Sequence, residues 1–166
     1  MCDVVIVSVP IHFTPDVIRE VAPFMRKESL MVDVTSVKEI PSQTMKESLP
    51  DDIEYLPTHP IFGPRTTELD NQVIVLTPDK KGKWFNKVYN YLDNKNMRII
   101  ETTAKKHDYM MSIVQVLTHF SFISTASAME KLKVDIGETE DFESPIYNLM
   151  IDMIAVSYTH LRAHEA

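Results

Sequence analysis

Short, nearly continuous β-branched runs alternate with stretches of helical spacing along the first hundred residues. "DVVIVSVP" (residues 3–10) is the first such run, the pattern of a strand covered on both faces. "FTPDVIREVAPFM" follows, with Val17, Ile18, Val21 and Phe24 or Met25 at helical spacing. Thr14 suits the N-cap, Pro15 the first helical position and Asp16 the positive end of the helix dipole. "SLMVDVTSVK" predicts a second buried strand and "KEIPSQTMKESL" a short helix with Pro41 near its start. "IEYLPTHP" and "NQVIVLTP" predict a third and a fourth strand. "KGKWFNKVYNYLDNK" predicts an amphipathic helix with Trp84, Val88, Tyr91 and Leu92 on one stripe, and "MRIIETT" a fifth strand. This alternation is the signature of an α/β domain with a largely parallel sheet.

The pattern then changes. Residues 104 to about 133 read as one long helical stretch without a breaker, "VDIGETEDFESP" as a loop and "PIYNLMIDMIA" as a further helix. The expected organisation is an α/β region over residues 1–103 and an all-helical region over 104–155, both incomplete. The closing "SYTHLRAHEA" does not continue the amphipathic pattern, so residues 156–166 are expected to be a non-native tail. A dinucleotide-binding half begins with strand, glycine-rich turn and helix. Here Gly63, Gly82 and Gly137 stand far apart, and the chain is expected to be a fragment truncated at both ends.

Composition narrows the function classes. The 166 residues include 44% apolar ones, enough for a sizeable core. The net charge of -7, with acids and bases interleaved, argues against a nucleic-acid partner but not against a small anionic substrate in a local pocket. One cysteine, Cys2, makes no disulfide framework and suits a reducing cytosol. The start lacks a basic n-region, and no run approaches the roughly 20 apolar residues of a membrane span, so a cytoplasmic protein is expected. The histidines lack zinc-site spacing, so no metal is expected, and no serine is flanked by glycines. Glu138, Glu140, Asp141 and Glu143 read as a solvated acidic loop.

Four stretches carry candidate chemistry. "VIVSVP" reads first as a buried strand with a proline stop; it also places a loop at the carboxyl edge of the sheet, where open α/β folds bind ligands. "VDVTSVK" crowds Asp33, Thr35, Ser36 and Lys38 at the next strand end. Its hydroxyls could bond a ligand amide, orient an imidazole, or simply cap the helix that starts near Glu39. In "THPIFGPR", Pro60 and Pro64 fix backbone dihedrals and Gly63 allows a turn that other residues resist. A histidine so held, His59, titrates near neutral pH and suits a general base, or is a structural turn residue. "KKHDYMMSIVQVLTHF" puts His107, Met111, Val114 and His119 near one helical face, with Gln115 one turn before His119; a helix packed on the sheet explains the same pattern.

Taken in order, "DVVIVSVP", "VDVTSVK", "HPIFGPR", "HDYMMSIVQVLTHF" and "SPIYNLMIDMIA" resemble prephenate dehydrogenase of tyrosine biosynthesis, in its archaeal form, over roughly residues 3 to 155. The resemblance implies a partial Rossmann-like domain binding NAD or NADP, and a helical domain that forms a homodimer. It implies oxidative decarboxylation of prephenate to 4-hydroxyphenylpyruvate, or the same chemistry on arogenate. His59 is implied to hold the ring hydroxyl and draw off its proton as hydride leaves, with Ser36 beside it and the nicotinamide. Ser8, Val9, Pro10, Thr35 and Ser36 are implied to line the cofactor. His107 is implied to open the helix bordering the pocket, and Gln115 and His119 to line it for substrate. The family places a substrate-binding arginine where this chain has Val156, with neither Arg65 nor Arg162 an evident substitute; valine cannot grip a carboxylate. Weak or absent turnover is therefore expected of this chain alone. A related hydroxyacid or imine oxidoreductase, and a non-catalytic dimerisation module, are the alternatives.

Overall fold

The computed structural model describes residues 2–63 and 66–165, with side chains described as far as residue 155, Glu140 excepted. The chain divides into two compact units, residues 1–111 and 112–166.

The first unit is a five-stranded sheet in the order β1-β2-β3-β4-β5, with β1 Val4–Val7, β2 Leu30–Asp33, β3 Glu54–Pro60, β4 Val73–Leu76 and β5 Arg98–Glu101. Strands β1, β2 and β3 are parallel, β4 runs antiparallel to β3, and β5 runs parallel to β4. Helices α1 (Thr14–Val21), α2 (Glu39–Ser48) and α3 (Lys83–Asn94) lie in the β1–β2, β2–β3 and β4–β5 connections. Parallel neighbours need such crossovers because a tight turn cannot reverse the chain direction twice.

Strand alternation sorts the core into two layers. Leu30, Val32, Leu56, Ile74 and Leu76 pack with Phe85 and Leu92 of α3 on one face. Val7, Ile18, Met31 and Met45 pack on the other, under α1 and α2. At the outer strand the α3-side layer does not extend, and Ile6 is 60% exposed.

Several local expectations change. Phe13 occupies the α1 N-cap position, and Thr14 instead begins the helix fully buried, its hydroxyl directed to the Pro10 carbonyl. Met25 joins the core, whereas Phe24 is 83% exposed. On α3 the inward stripe is Phe85, Val88 and Leu92, flanked by Trp84 and Tyr89; Tyr91 faces solvent. A shift of one residue turns a helical side chain by about 100°, enough to exchange Tyr91 for its neighbours.

Helix α4 (Ala104–Met111) closes the first unit. The second opens with a π-helical turn, Ser112–Leu117, and continues as α5 (Thr118–Lys131). The unbroken helix expected from 104 to 133 is therefore interrupted by wider turns of the i→i+5 kind. The expected loop after it contains a short helix α6 (Ile136–Thr139), with Asp135 accepting the Gly137 N–H, and a 3₁₀ turn at Glu140–Phe142. Helix α7 (Pro145–Glu165) starts on Ser144, whose hydroxyl accepts the Tyr147 N–H, with Pro145 at the first position. It extends through residues 156–165, the stretch set apart on its sequence, and packs on α5 within this unit. No helix among the described residues is long and apolar enough to cross a membrane.

Leu56, 1% exposed at the centre of β3, tests the layer under α3. Leu56→Ala lowers stability by about 2–5 kcal/mol through lost burial and the cavity left behind. A lower urea midpoint at unchanged slope is the measurement.

Candidate active site

The carboxyl ends of β1, β2 and β3 lie at one edge of the sheet, in register: Val7 opposes Asp33, and Asp33 opposes Pro57. The next residues of each chain segment are the candidates from the sequence. Ser8 and Pro10 are exposed, Val9 and Ser36 half-buried, and Thr35 and His59 buried. His59 sits inside β3 rather than in a turn. Its rigidity comes from the sheet: it is in register with Val75 of β4, and the Pro57 carbonyl accepts both the backbone N–H and the hydroxyl of Thr77. Gly63 has no left-handed backbone, and an added Cβ there would meet nothing within 4 Å, so the expected special turn is not what holds the histidine. Pro64 and Arg65 lie outside the described residues.

Beneath this edge is a buried ion pair that sequence reasoning left without a role. Lys38 is 0% exposed, and its ammonium donates to Asp33 and, at 2.6 Å, to the Thr58 carbonyl. Desolvation lowers the Lys38 pKa, and Asp33 and Asp108 oppose that fall. The Asp33 carboxylate also accepts the backbone N–H of Thr35 at 3.1 Å and its hydroxyl at 2.5 Å. Thr35 is thus committed to the loop rather than to a ligand through its hydroxyl. Thr58 donates to the Asp33 carbonyl at 2.7 Å, tying β3 to β2 one residue before His59. Asp33 Oδ1 is left without a hydrogen-bond partner among the described residues. The pair was hard to foresee, because an aspartate and a lysine five apart in sequence look the same in a surface loop.

Helix α4 completes the site. His107, 2% exposed, brings Nε2 to 2.9 Å from Nδ1 of His59, the two rings edge to face. Its Nδ1 lies 2.7 Å from Asp108 Oδ1. The Asp108 carboxylate also accepts the backbone N–H groups of Lys38 at 2.7 Å and Glu39 at 2.9 Å. The start of α2 is therefore capped by a carboxylate from α4, not by Thr35 or Ser36, in keeping with the preference of helix N-termini for anions. Burial first, then His107 and Lys38, push the His59 pKa down to about 4, against the opposing pull of Asp108. The imidazole is neutral at pH 7 and available as an acceptor.

Gln115 lies half-buried in the π-helical turn and His119 exposed at the start of α5, both in the second unit. Val156 and Arg162 lie beyond the described side chains. Among the described residues no group of histidine, cysteine or acidic side chains could hold a metal ion.

Parallel strand ends sharing a polar edge, followed by a separate helical unit, define the class: a Rossmann-type nucleotide-binding region joined to an all-helical one. Two family profiles match in that order. Residues 1–101 match "Prephenate dehydrogenase, nucleotide-binding domain" and residues 103–162 match "Prephenate dehydrogenase, dimerization domain". The chain belongs to the prephenate dehydrogenase family. It is 51% identical over 155 residues to a protein of Methanocaldococcus jannaschii named "Probable arogenate/prephenate dehydrogenase", covering 92% of this chain and 35% of that one. It is 32% identical over 152 residues to the T-protein of Haemophilus influenzae, covering 92% and 40%. The chain thus spans about two fifths or less of the length of these relatives. Its fold matches prephenate dehydrogenase from Aquifex aeolicus with a TM-score of 0.69 at 18% identity, covering 98% of this chain and 64% of that one. The Synechocystis arogenate dehydrogenase matches with a TM-score of 0.68 at 16% identity, covering 99% and 69%.

Two outcomes test the site. Lys38→Met strands the Asp33 carboxylate in the interior and destabilises the fold by about 3–5 kcal/mol, whereas Lys38→Met with Asp33→Leu recovers most of that loss; chemical denaturation measures both. The second follows from His59. Between its ordinary value of 6.5 and about 4, the unfolded chain takes up a proton that the folded chain refuses. Stability therefore falls as pH drops through that window, by at most about 1.4 kcal/mol per pH unit from this group. Urea midpoints across pH 4–7 show that slope lessened in His59→Asn.

Proposed function

We propose that this chain carries the hydride-transfer edge of an NAD(P)-dependent prephenate or arogenate dehydrogenase. One observation carries the reading: a neutral, buried imidazole stands at the ligand edge of the sheet with Nδ1 already bonded to His107, which leaves Nε2 for a substrate hydroxyl. Family membership supports the reaction class.

The strand-end residues fit part of the cofactor. Exposed Ser8 and Pro10 and half-buried Val9 and Ser36 suit a nicotinamide and its ribose. Thr35 supports that wall through its backbone. No glycine stands in the loops after β1 or β2, so those loops suit the nicotinamide end rather than a pyrophosphate. NAD or NADP, when bound, supplies the hydride acceptor.

The protein's own part is to bind, orient and take one proton. His59 Nε2 accepts the proton of the ring hydroxyl, the carbinol oxygen becomes a carbonyl as hydride leaves the same carbon, and loss of carbon dioxide makes the ring aromatic. A neutral base suits this step because an imidazolium could not accept the proton. Ser36, at the neighbouring strand end, orients the imidazole and the substrate from the side. For the helical unit taken by itself, Gln115 and His119 are proposed as substrate-binding residues on family membership.

The helical unit supports a homodimer. Phe120, Leu132, Phe142, Ile146 and Leu149 are exposed, and an apolar groove of about 570 Å³ is lined by Ile123, Met129, Val134, Ile151 and Ile154. Exposed apolar area of this kind marks an interaction surface.

Turnover of prephenate and arogenate with NAD and NADP, read by absorbance of the reduced cofactor, tests the reading. The chain alone turns over weakly, and His59→Asn lowers kcat/KM by a further factor of about 10²–10⁴. Calorimetry with 4-hydroxyphenylpyruvate shows binding that His59→Asn weakens. Equal turnover, or equal binding, by the two chains overturns it.

A further inference from the structure

His59 has two ring nitrogens, and only one can face a substrate. Which of them carries the proton in the neutral ring decides whether the outward nitrogen accepts or donates. An imidazole alone in water populates both forms, so a base role needs something to choose between them.

The choice can be followed inward from His59. Its Nδ1 meets His107 Nε2 at 2.9 Å, and His107 Nδ1 meets Asp108 Oδ1 at 2.7 Å. Asp108 accepts backbone N–H groups on both of its oxygens, from Lys38 on Oδ1 and from Glu39 on Oδ2. An ionised carboxylate only accepts hydrogen bonds, so His107 must place its proton on Nδ1. His107 Nε2 is then bare and can only accept, so His59 must place its proton on Nδ1. His59 Nε2 is left bare. Each step follows from the one before, and no other arrangement of neutral rings satisfies both contacts.

We infer that His107 and Asp108 are positioning residues that fix the tautomer of His59, making its outward Nε2 an obligate proton acceptor. The inference rests on the reading of His59 as the group that meets the substrate hydroxyl. Neither residue touches the reacting atoms in this scheme. When Nε2 takes the proton, the Nδ1–H bond to His107 stays in place, and the Asp108 charge stabilises the imidazolium through the intervening ring. No second proton needs to move.

Among the described residues, titratable and charged groups face this chain of contacts from three elements. From α4 they are His107 and Asp108, from the loop before α2 they are Lys38, and from β2 they are Asp33. Lys38 and His107 oppose protonation of His59, and Asp108 favours it. The capping bonds from Lys38 and Glu39 give Asp108 a second task, since they fix α2 and α4 at the same point. A purely structural role for Asp108 would not prescribe where the proton of His59 resides.

Long-range 1H–15N correlation spectra of the full chain with 15N-labelled histidine read that proton directly. At pH 7 the unsubstituted chain shows His59 and His107 both in the Nδ1–H form. His107→Leu removes the acceptor, and His59 loses its single form to a mixture of the two. His107→Gln offers an amide oxygen in place of Nε2 and restores Nδ1–H on His59. Titration towards pH 4 adds a readout that loss of packing would not produce: the His59 midpoint falls in Asp108→Asn and rises in His107→Gln. If the unsubstituted chain holds His59 in the Nε2–H form, or if both variants move the midpoint in one direction, the inference fails. Added 4-hydroxyphenylpyruvate separates this from the proposed function. Perturbed His59 signals with the wrong tautomer overturn the positioning role alone. The right tautomer with no perturbation by the ligand upholds the proton chain and overturns the substrate reading.

Discussion

A single ammonium group sealed from water ties the ligand edge together. Lys38 bonds the Asp33 side chain at the end of β2 and the Thr58 carbonyl beside His59 in β3. Burying a charge costs several kcal/mol unless a partner and further hydrogen bonds offset it. The buried ammonium is therefore offset only while Asp33 and the Thr58 carbonyl accept from it, with Thr35 holding the Asp33 carboxylate. Such a pair adds little net stability over an apolar core of equal volume. Its effect is on shape: it closes the loop after β2, and that closure sets where Ser36 and the start of α2 lie.

The same closure reaches α4. Once α2 begins at Glu39, its first N–H groups point outward, and Asp108 receives them. That contact places His107 against His59. Folding contacts and the proposed proton-accepting role thus share one set of atoms. The low His59 pKa is a product of this arrangement, because the closely packed walls that hold the ring also remove its solvent. A base kept neutral in this way gives up proton affinity and gains permanent availability at neutral pH.

Much of the fold was legible in the chain itself. The alternation of β-branched runs with helical spacing placed all five strands and the three connecting helices, since backbone period and burial are local properties that side chains record directly. Ser36 was legible as a candidate because it follows a strand at an edge where open α/β sheets bind ligands, and His59 because two prolines and a glycine follow it closely, although a strand rather than a turn holds it. Details that depend on a rotation of one residue were not. Tyr91 and Phe24 have the chemistry of core residues and lie outside it, and Gly63 has the chemistry of a turn residue without the backbone of one. The helix from residue 104 was read as unbroken because a π-helical turn has no sequence breaker to announce it.

What the sequence by itself determined was the order of elements, the strand ends at one edge and the presence of a histidine on one of them, because each rests on neighbours a few residues apart. Only the tertiary structure decided that Lys38 is buried rather than solvated, that Asp108 caps a helix 69 residues away, and that His107 meets His59 across 48. Those contacts join residues distant in sequence. Their energies come from exclusion of water and from distances of under 3 Å, and neither exists until the sheet and α4 have packed.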